Sequence, residues 1–242
     1  MEHSCPDPYA TGRPPIVLLV DDEVLFRMTL RVALEVHVPG VKILEAGDGA
    51  EALALMDRST IDCVVTDLAM TGVGGVGLLT DMLVQERPIP VVVVSAYGCE
   101  GPTDGDGVLC FTKPVELFTV CEAVAELLRA PSSGRSRVTL ASLVHVIACE
   151  RRACELHLEG AGGRVAALTF ERGQLVEAIA RCGDGTAPVS GMEGALAALE
   201  WKPARVTTAG RPPQRPSAPT PAPLSLAHLF AQHRVRKATR TY

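Results

Sequence analysis

The chain has 242 residues, of which 47% are hydrophobic and 21% are charged, and its formal net charge is −5. This composition excludes a largely disordered chain and leaves room for two domains with their own cores. No apolar run reaches the roughly 18 residues that a membrane-spanning helix needs, and residues 1–15 show no signal-peptide pattern. The eight cysteines include no Cys-x-x-Cys pair, so we expect a reducing, cytoplasmic location.

The first half of the chain alternates apolar runs with amphipathic segments. Runs such as IVLLV at residues 16–20 are apolar on both faces, which is typical of parallel strands covered by helices on both sides. Pro114 is predicted at the first position of a last helix. Strands are predicted at residues 16–20, 41–45, 61–66, 90–94 and 108–112, with helices between the first four. This order predicts an α/β fold with a flavodoxin-like doubly wound parallel sheet, and a smaller α+β domain is expected after it.

Three carboxylates follow two of the predicted strands. Asp21 and Asp22 come directly after the first strand, and Asp67 comes directly after the third. Ligands bind beyond the carboxyl ends of the strands in an open parallel sheet. Carboxylates gathered there repel one another unless a cation neutralises them, and their oxygens suit Mg²⁺. For each Asp taken alone, capping of the next helix is the favoured explanation, and the case for a cation rests on the set.

Ser95 and Lys113 follow two further strands. A serine hydroxyl can donate a hydrogen bond to a phosphoryl oxygen, and a lysine ammonium is a compact point charge suited to another such oxygen. A carboxylate nucleophile with a metal, a hydroxyl and an ammonium around it is a site of phosphoryl transfer to aspartate.

The segments VLLVDDE, VVTDLAM, VVVVSA and FTKP, in this order and spacing, resemble the receiver domain of two-component response regulators over about residues 14–130. The resemblance implies that Asp67 accepts the phosphoryl group, that Ser95 and Lys113 contact it, and that the Lys113–Pro114 bond is cis. It implies Mg²⁺ held by Asp22 and Asp67, by Asp21 mainly through water, and by the backbone carbonyl of Ala69. Such a domain assists its own phosphorylation and dephosphorylation and is not otherwise an enzyme.

Three features depart from the receiver pattern. Cys110 stands three residues before Lys113, where receivers often carry an aromatic residue, so we expect the usual aromatic rotamer switch to be absent. Residues 98–107 are rich in glycine and contain a proline, so we expect the helix of the receiver pattern to be reduced here to a turn or loop. The surface that many receivers use for dimerisation would then be altered. The alternative is that this segment is only a tolerated surface loop. Ala69 and Tyr97 carry no carboxylate or amide to align water, which predicts slow self-dephosphorylation.

A tail at residues 1–13 precedes the receiver-like part. A polar linker at residues 131–137 follows it and leads to a segment with a different hydrophobic pattern. Predicted here are helices at residues 139–147 and 191–201, strands at residues 154–159, 165–170 and 175–180, and turns at residues 160–163 and 172–173. The segment resembles the PATAN domain over about residues 138–208. The resemblance rests on Leu140, Leu143, LHL at 156–158, LTFERGQLVEA at 168–178, and GAL at 194–196 before Trp201. It implies binding to a partner protein.

Two further patterns leave alternatives open. His145, Cys149, Cys154 and His157 are a candidate metal cluster, although their spacing favours ordinary packing. Residues 209–223 form a Pro-rich linker, and the basic amphipathic segment at residues 224–242 is expected to dock on its own chain, on an acidic partner, on a membrane surface or on nucleic acid.

The preferred interpretation is a cytoplasmic signalling protein. A histidine kinase or phosphotransfer protein would phosphorylate Asp67, and the PATAN-like domain would engage an unknown output protein. One alternative is a DNA-binding transcriptional regulator, but the chain is acidic and shows no helix-turn-helix pattern. Another is a receiver that binds partners without being phosphorylated. A haloacid-dehalogenase-type phosphatase would need a second Asp at position 69, where this chain has Ala69.

Overall fold

The computed structural model describes residues 13–96, 101–102, 108–129, 137–210 and 222–239. The chain divides into two compact units, the first containing Met1–Leu78 with Arg87–Val138 and the second containing Leu79–Glu86 with Thr139–Tyr242. Within the ranges just given, no helix is both long enough and apolar enough to span a bilayer.

The first unit contains a sheet with five parallel strands. Its strands are β1 (Ile16–Val20), β2 (Lys42–Ala46), β3 (Cys63–Thr66), β4 (Val91–Ser95), β5 (Gly101–Pro102) and β6 (Val108–Thr112). Their order across the sheet is β2-β1-β3-β4-β6-β5, and only the two-residue β5 runs antiparallel to its neighbour. The first strand thus lies between the second and the third, which is the flavodoxin-like order that the sequence predicts.

Helices α1 (Val24–His37), α2 (Gly49–Arg58), α3 (Gly75–Val84) and α4 (Leu117–Arg129) connect or follow the strands. Alternate strand residues such as Val17 and Val65 pack with Leu34 of α1 and Val124 of α4 in one hydrophobic cluster. The residues between them, such as Leu18, point to the opposite face and are also buried. Burial on both faces explains why these strands are continuous apolar runs.

Several element boundaries differ from the sequence predictions. The second strand lies one residue later than predicted, and the third begins at Cys63 rather than at residue 61. Asp62, just before it, instead accepts a hydrogen bond from the Ile16 backbone at 2.9 Å and pairs with Arg13 at 2.8 Å. The prediction that Pro114 begins the last helix is wrong. That helix begins at Leu117, because the first turn closes on the carbonyl of the residue before it.

The departure predicted at residues 98–107 lies mostly outside the described residues. The two that are described, Gly101 and Pro102, are in a strand opposite Cys110 and Leu109 rather than in a helix. The receiver pattern would have placed a helix in this part of the chain.

The second unit is an α+β arrangement, as predicted for the smaller domain. It contains α5 (Leu140–Cys149), β7 (Cys154–Gly160), β8 (Arg164–Glu171), β9 (Gln174–Arg181), β10 (Val189–Ser190), α6 (Gly191–Leu199), β11 (Pro203–Gly210) and α7 (Leu226–Thr239). The strands form an antiparallel sheet in the order β10-β9-β8-β7-β11. Thr139 caps α5 by accepting a hydrogen bond from the Ser142 backbone at 3.1 Å, and the Ser142 hydroxyl reciprocates, which is a capping box.

Two ends in this unit differ from the predicted bounds. The helix predicted to reach Trp201 ends at Leu199, because the Trp201 amide donates to the Ala198 carbonyl in a closing turn. The last strand continues to Gly210, two residues past the predicted end of the domain, because it stays paired with β7 as far as Cys154.

The basic C-terminal segment docks on its own unit. Leu229 and Phe230 of α7 are buried, and the ring of Phe230 lies 6.1 Å from that of His145. Arg236 pairs with Glu193 of α6 at 2.8 Å. Of the alternatives that the sequence leaves open for this segment, docking on its own chain is therefore confirmed. No group of three or more metal-ligating side chains occurs in the part of the chain that the structure describes, so the four His and Cys residues considered above do not form one.

Candidate functional site

The carboxyl ends of β1 and β3 bring two carboxylates together. The Asp67 amide donates to the Val20 carbonyl at 2.9 Å, and the Asp21 amide donates to the Ala46 carbonyl at 3.2 Å. These bonds continue the ladders of the parallel sheet past the last strand residues. Asp21 and Asp67 therefore lie side by side at the same edge, and both are buried.

Lys113 joins these two carboxylates. Its Nζ atom lies 2.8 Å from Asp21 Oδ2 and 2.8 Å from Asp67 Oδ2. The same ammonium lies 4.2 Å from the centroid of the Phe26 ring, a cation–π contact. The Lys113–Pro114 peptide bond is cis, as the receiver resemblance implies. One cation thus lies between two buried anions, with an aromatic ring beside it.

The backbone orients the Asp67 carboxylate further. Its Oδ1 atom accepts hydrogen bonds from the amides of Leu68 at 2.5 Å and Ala69 at 3.1 Å. Its other oxygen is the one that contacts Lys113. Because each oxygen has partners of a different kind, the carboxylate is fixed in one orientation before any ligand arrives.

Asp22 and Ala69 lie at the exposed rim of the site. The Asp22 side chain is exposed, and its Oδ2 atom accepts a hydrogen bond from the Thr71 amide at 3.1 Å. This bond ties the loop after β1 to the loop after β3. Ala69 is also exposed, which leaves its surroundings open to water.

Ser95 is fully buried as the last residue of β4. Its carbonyl accepts a hydrogen bond from the Lys113 amide at 2.7 Å, which fixes β4 beside the residue that carries the ammonium. The structure thus brings Asp21, Asp67 and Lys113 into direct contact, and it places Asp22, Ala69 and Ser95 on strands or loops at the same edge.

The electrostatics of the site follow from its burial. Burial raises the pKa of the Asp21 carboxyl, and the hydrogen bonds from Lys113 and the Glu23 amide oppose this only in part. Burial also lowers the pKa of Lys113, but its hydrogen bonds to Asp21 and Asp67 and their negative charge outweigh burial and leave that pKa raised. Lys113 is therefore a stable cation, whereas ionised Asp21 is held at a cost in free energy.

Two contributors to the site carry weak signals in the sequence. A β-carbon at Gly75 would lie 2.8 Å from Leu68 Cα and closer still to the Asp67 carbonyl oxygen, so only glycine fits there. The Arg27 guanidinium donates to the Asp21 carbonyl and lies 3.5 Å from Glu45. Several glycines follow Asp67, and nothing in their pattern distinguishes Gly75 from the others. Arg27 reads in the sequence as one polar position on an amphipathic helix.

Cys110 lies where the sequence predicts that an aromatic switch residue is missing. Its side chain is buried on β6 opposite Val93 of β4. Its neighbour Phe111 is half-buried, and Tyr97 lies outside the described residues. A small thiol thus occupies the position where the receiver pattern has an aromatic ring, which would need more space.

The carboxylates at this edge suit a divalent cation in their chemistry, but the described side chains do not gather three of them into a ready-made metal site. Three carboxylates and one ammonium at the same edge leave a net charge of −2. The oxygens on offer are hard ligands of the kind that Mg²⁺ prefers.

Known proteins resemble the first half of this chain. A family model described as the response regulator receiver domain matches residues 17–104. The transcriptional regulatory protein GlrR of Escherichia coli K12 is 30% identical over 122 residues, which are 48% of this chain and 27% of that protein. Sporulation initiation phosphotransferase F of Bacillus subtilis 168 is 26% identical over 121 residues, which are 48% of this chain and 96% of that protein.

A solved structure of the Francisella response regulator 1452 receiver domain is 27% identical, has a TM-score of 0.42, and covers 48% of this chain and 97% of that one. The chain spans only about a quarter of the length of curated relatives such as GlrR, of which it matches 27%. The family model ends at residue 104, well before residues 138–208. The matched residues, which include the three carboxylates at the sheet edge, belong to a receiver domain of the two-component response regulators.

Proposed function

We propose that this protein is a response regulator that accepts a phosphoryl group on Asp67 from a histidine kinase or a phosphotransfer protein. The observation that carries the proposal is the pairing of Asp67 with Lys113 at 2.8 Å beside the buried Asp21. A carboxylate oriented by two backbone amides and one ammonium is prepared to act as a nucleophile.

The residues divide the chemistry between them. An Asp67 oxygen attacks the phosphorus atom, a P–O bond forms, and the bond to the donor's histidine nitrogen breaks. Lys113 gives up part of its contact with Asp67 and stabilises the negative charge on the phosphoryl oxygens instead. The Ser95 hydroxyl donates to another phosphoryl oxygen. Asp21, Asp22, Asp67 and the Ala69 carbonyl would hold Mg²⁺, which supplies positive charge against the incoming phosphoryl group.

We further propose that the second unit is a PATAN-like module whose output is binding to another protein. In support, α5, the β7–β8 hairpin, β9 and α6 occur in the order that the PATAN-like segment of the sequence predicts. The basic segment that was one candidate for nucleic-acid binding is instead partly buried, with Arg236 paired to Glu193. DNA binding is the competing proposal, and a gel-shift assay at low salt tests it.

The phosphoacceptor proposal is tested by incubating the full chain with Mg²⁺ and acetyl phosphate and measuring its intact mass. We expect one added phosphoryl group on the wild type and none on Asp67→Asn. Asp57→Asn is the matched control, because Asp57 is an exposed aspartate of α2 away from the site. If the wild type gains no mass, or if Asp67→Asn is labelled as strongly as the wild type, the proposal is contradicted and a phosphorylation-independent module is favoured.

A further inference from the structure

The edges of the two sheets are protected to different degrees. The edge strands β5 and β10 have two residues each. The edge strand β2 carries Glu45, which pairs with Arg31 at 2.9 Å and with Arg27 at 3.5 Å. By contrast, β11 has eight residues, and among the described strands it pairs with β7 alone.

The protection of β11 ends halfway along the strand. Its first half has the devices that usually block edge-to-edge pairing, namely Pro203, the charged Arg205 and an irregular register between them. Residues 206–210 have no charge, no proline and no register shift. Thr207 and Thr208 are β-branched and favour a strand. The backbone groups on the outer side of this half-strand are therefore suited to pairing with another strand.

The inner face of the sheet is also incompletely covered here. Val206 and Thr208 point to the same face as their β7 partners Leu158 and Leu156, which are buried. Val206 is buried as well, but Thr208 is exposed. The apolar cover of the sheet thus stops within β11, the strand whose outer side meets no other described strand.

We propose that β11 pairs with β11 of a second copy of this chain, antiparallel about a two-fold axis at Thr207. In this register Thr207 of one copy lies opposite Thr207 of the other, and Val206 lies opposite Thr208. The Val206 side chain of one copy then covers the exposed Thr208 side chain of the other copy, on the inner face of the sheet. Arg205 lies opposite the uncharged Ala209.

The sequence of this half-strand is complementary to itself, which favours a second copy over an unrelated peptide. Threonine pairs across strands stabilise a sheet, whereas like charges directly opposite one another destabilise it. The two Arg205 residues would be offset by four residues, which is about 13 Å along the strands. That separation exceeds the Debye length of about 8 Å at physiological ionic strength, so their repulsion is largely screened. The interface is isologous, the commonest kind in dimers.

Sedimentation equilibrium of the full chain over a range of concentrations tests the proposal. No phosphodonor is added, so the outcome is independent of the chemistry at Asp67. We expect a reversible dimer for the wild type. Thr207→Lys and Thr207→Glu each place like charges opposite one another, and each should weaken the dimer roughly tenfold. An equimolar mixture of the two variants should restore it, because opposite charges then meet at the axis.

Gln174→Lys is the matched control, since it adds one charge at an exposed position of β9 in the same sheet and should leave the dimer unchanged. Circular dichroism checks that each variant is folded. A monomeric wild type, a Thr207→Lys variant that dimerises as well as wild type, or a mixture without recovery would each overturn the proposal. A monomer that binds a strand-forming peptide at this edge would also overturn it.

Discussion

Removing the Lys113 ammonium leaves two buried carboxylates without their shared cation. The side chains of Asp21 and Asp67 are 4% and 9% exposed, and that of Lys113 is 19% exposed, so water replaces the ammonium poorly. Breaking a buried ion pair by deleting one partner costs about 3–5 kcal/mol. We therefore expect Lys113→Met to lose about 3 kcal/mol of unfolding free energy without metal, out of a total of roughly 5–15 kcal/mol for a typical domain.

Urea denaturation followed by circular dichroism, in EDTA and in Mg²⁺, measures this loss. Lys42→Met is the matched control, because Lys42 is exposed on β2, and its effect should stay within about 0.5 kcal/mol. Adding Asp67→Asn to Lys113→Met should restore part of the lost stability, since one of the two repelling carboxylates becomes neutral. A loss below about 1 kcal/mol for Lys113→Met, or no recovery in the double variant, would refute the electrostatic account of the site.

Three further predictions follow from the same geometry. Burial raises the pKa of Asp21, so the ionised carboxylate destabilises the fold above that pKa. In urea titrations in EDTA, Asp21→Asn should therefore be more stable than wild type at pH 7, and this difference should shrink as the pH falls toward 4. Gly75→Ala should destabilise the first unit by about 1–3 kcal/mol or more through its clash with the Asp67 backbone, whereas Gly47→Ala, whose β-carbon meets only ordinary contacts, should change thermal unfolding little. Phosphorylated protein should lose its phosphoryl group slowly, and Ala69→Asn should accelerate the loss measured by timed intact mass; a wild-type lifetime of seconds would contradict this.

The first sheet and the carboxylates at its edge can be predicted from the sequence for a physical reason. Strands buried on both faces must be apolar throughout, so a residue such as Asp21 or Asp67 stands out where a strand ends. Parallel strands put their carboxyl ends at the same edge, which predicts that these carboxylates meet. The structure agrees, since Lys113 contacts both of them at 2.8 Å.

The remaining features depend on contacts with other parts of the chain, which a local sequence pattern does not show. Helix α4 begins three residues after Pro114, although proline at a first helical position is a sound local rule. The need for glycine at position 75 arises only when that backbone meets Asp67, eight residues earlier in the chain. Similarly, β11 extends to Gly210 because β7 continues beside it, and a polar sequence of small residues does not reveal that pairing.

The central claim is that the phosphoryl group resides on Asp67, and locating it on the chain tests this most directly. After incubation with acetyl phosphate and Mg²⁺, borohydride reduction converts an aspartyl phosphate to homoserine, and peptide mass spectrometry finds the changed position. We expect the conversion at residue 67, and no conversion when Mg²⁺ is replaced by EDTA. Conversion at another aspartate, or an unmodified peptide containing Asp67 beside a phosphorylated chain, would contradict the account.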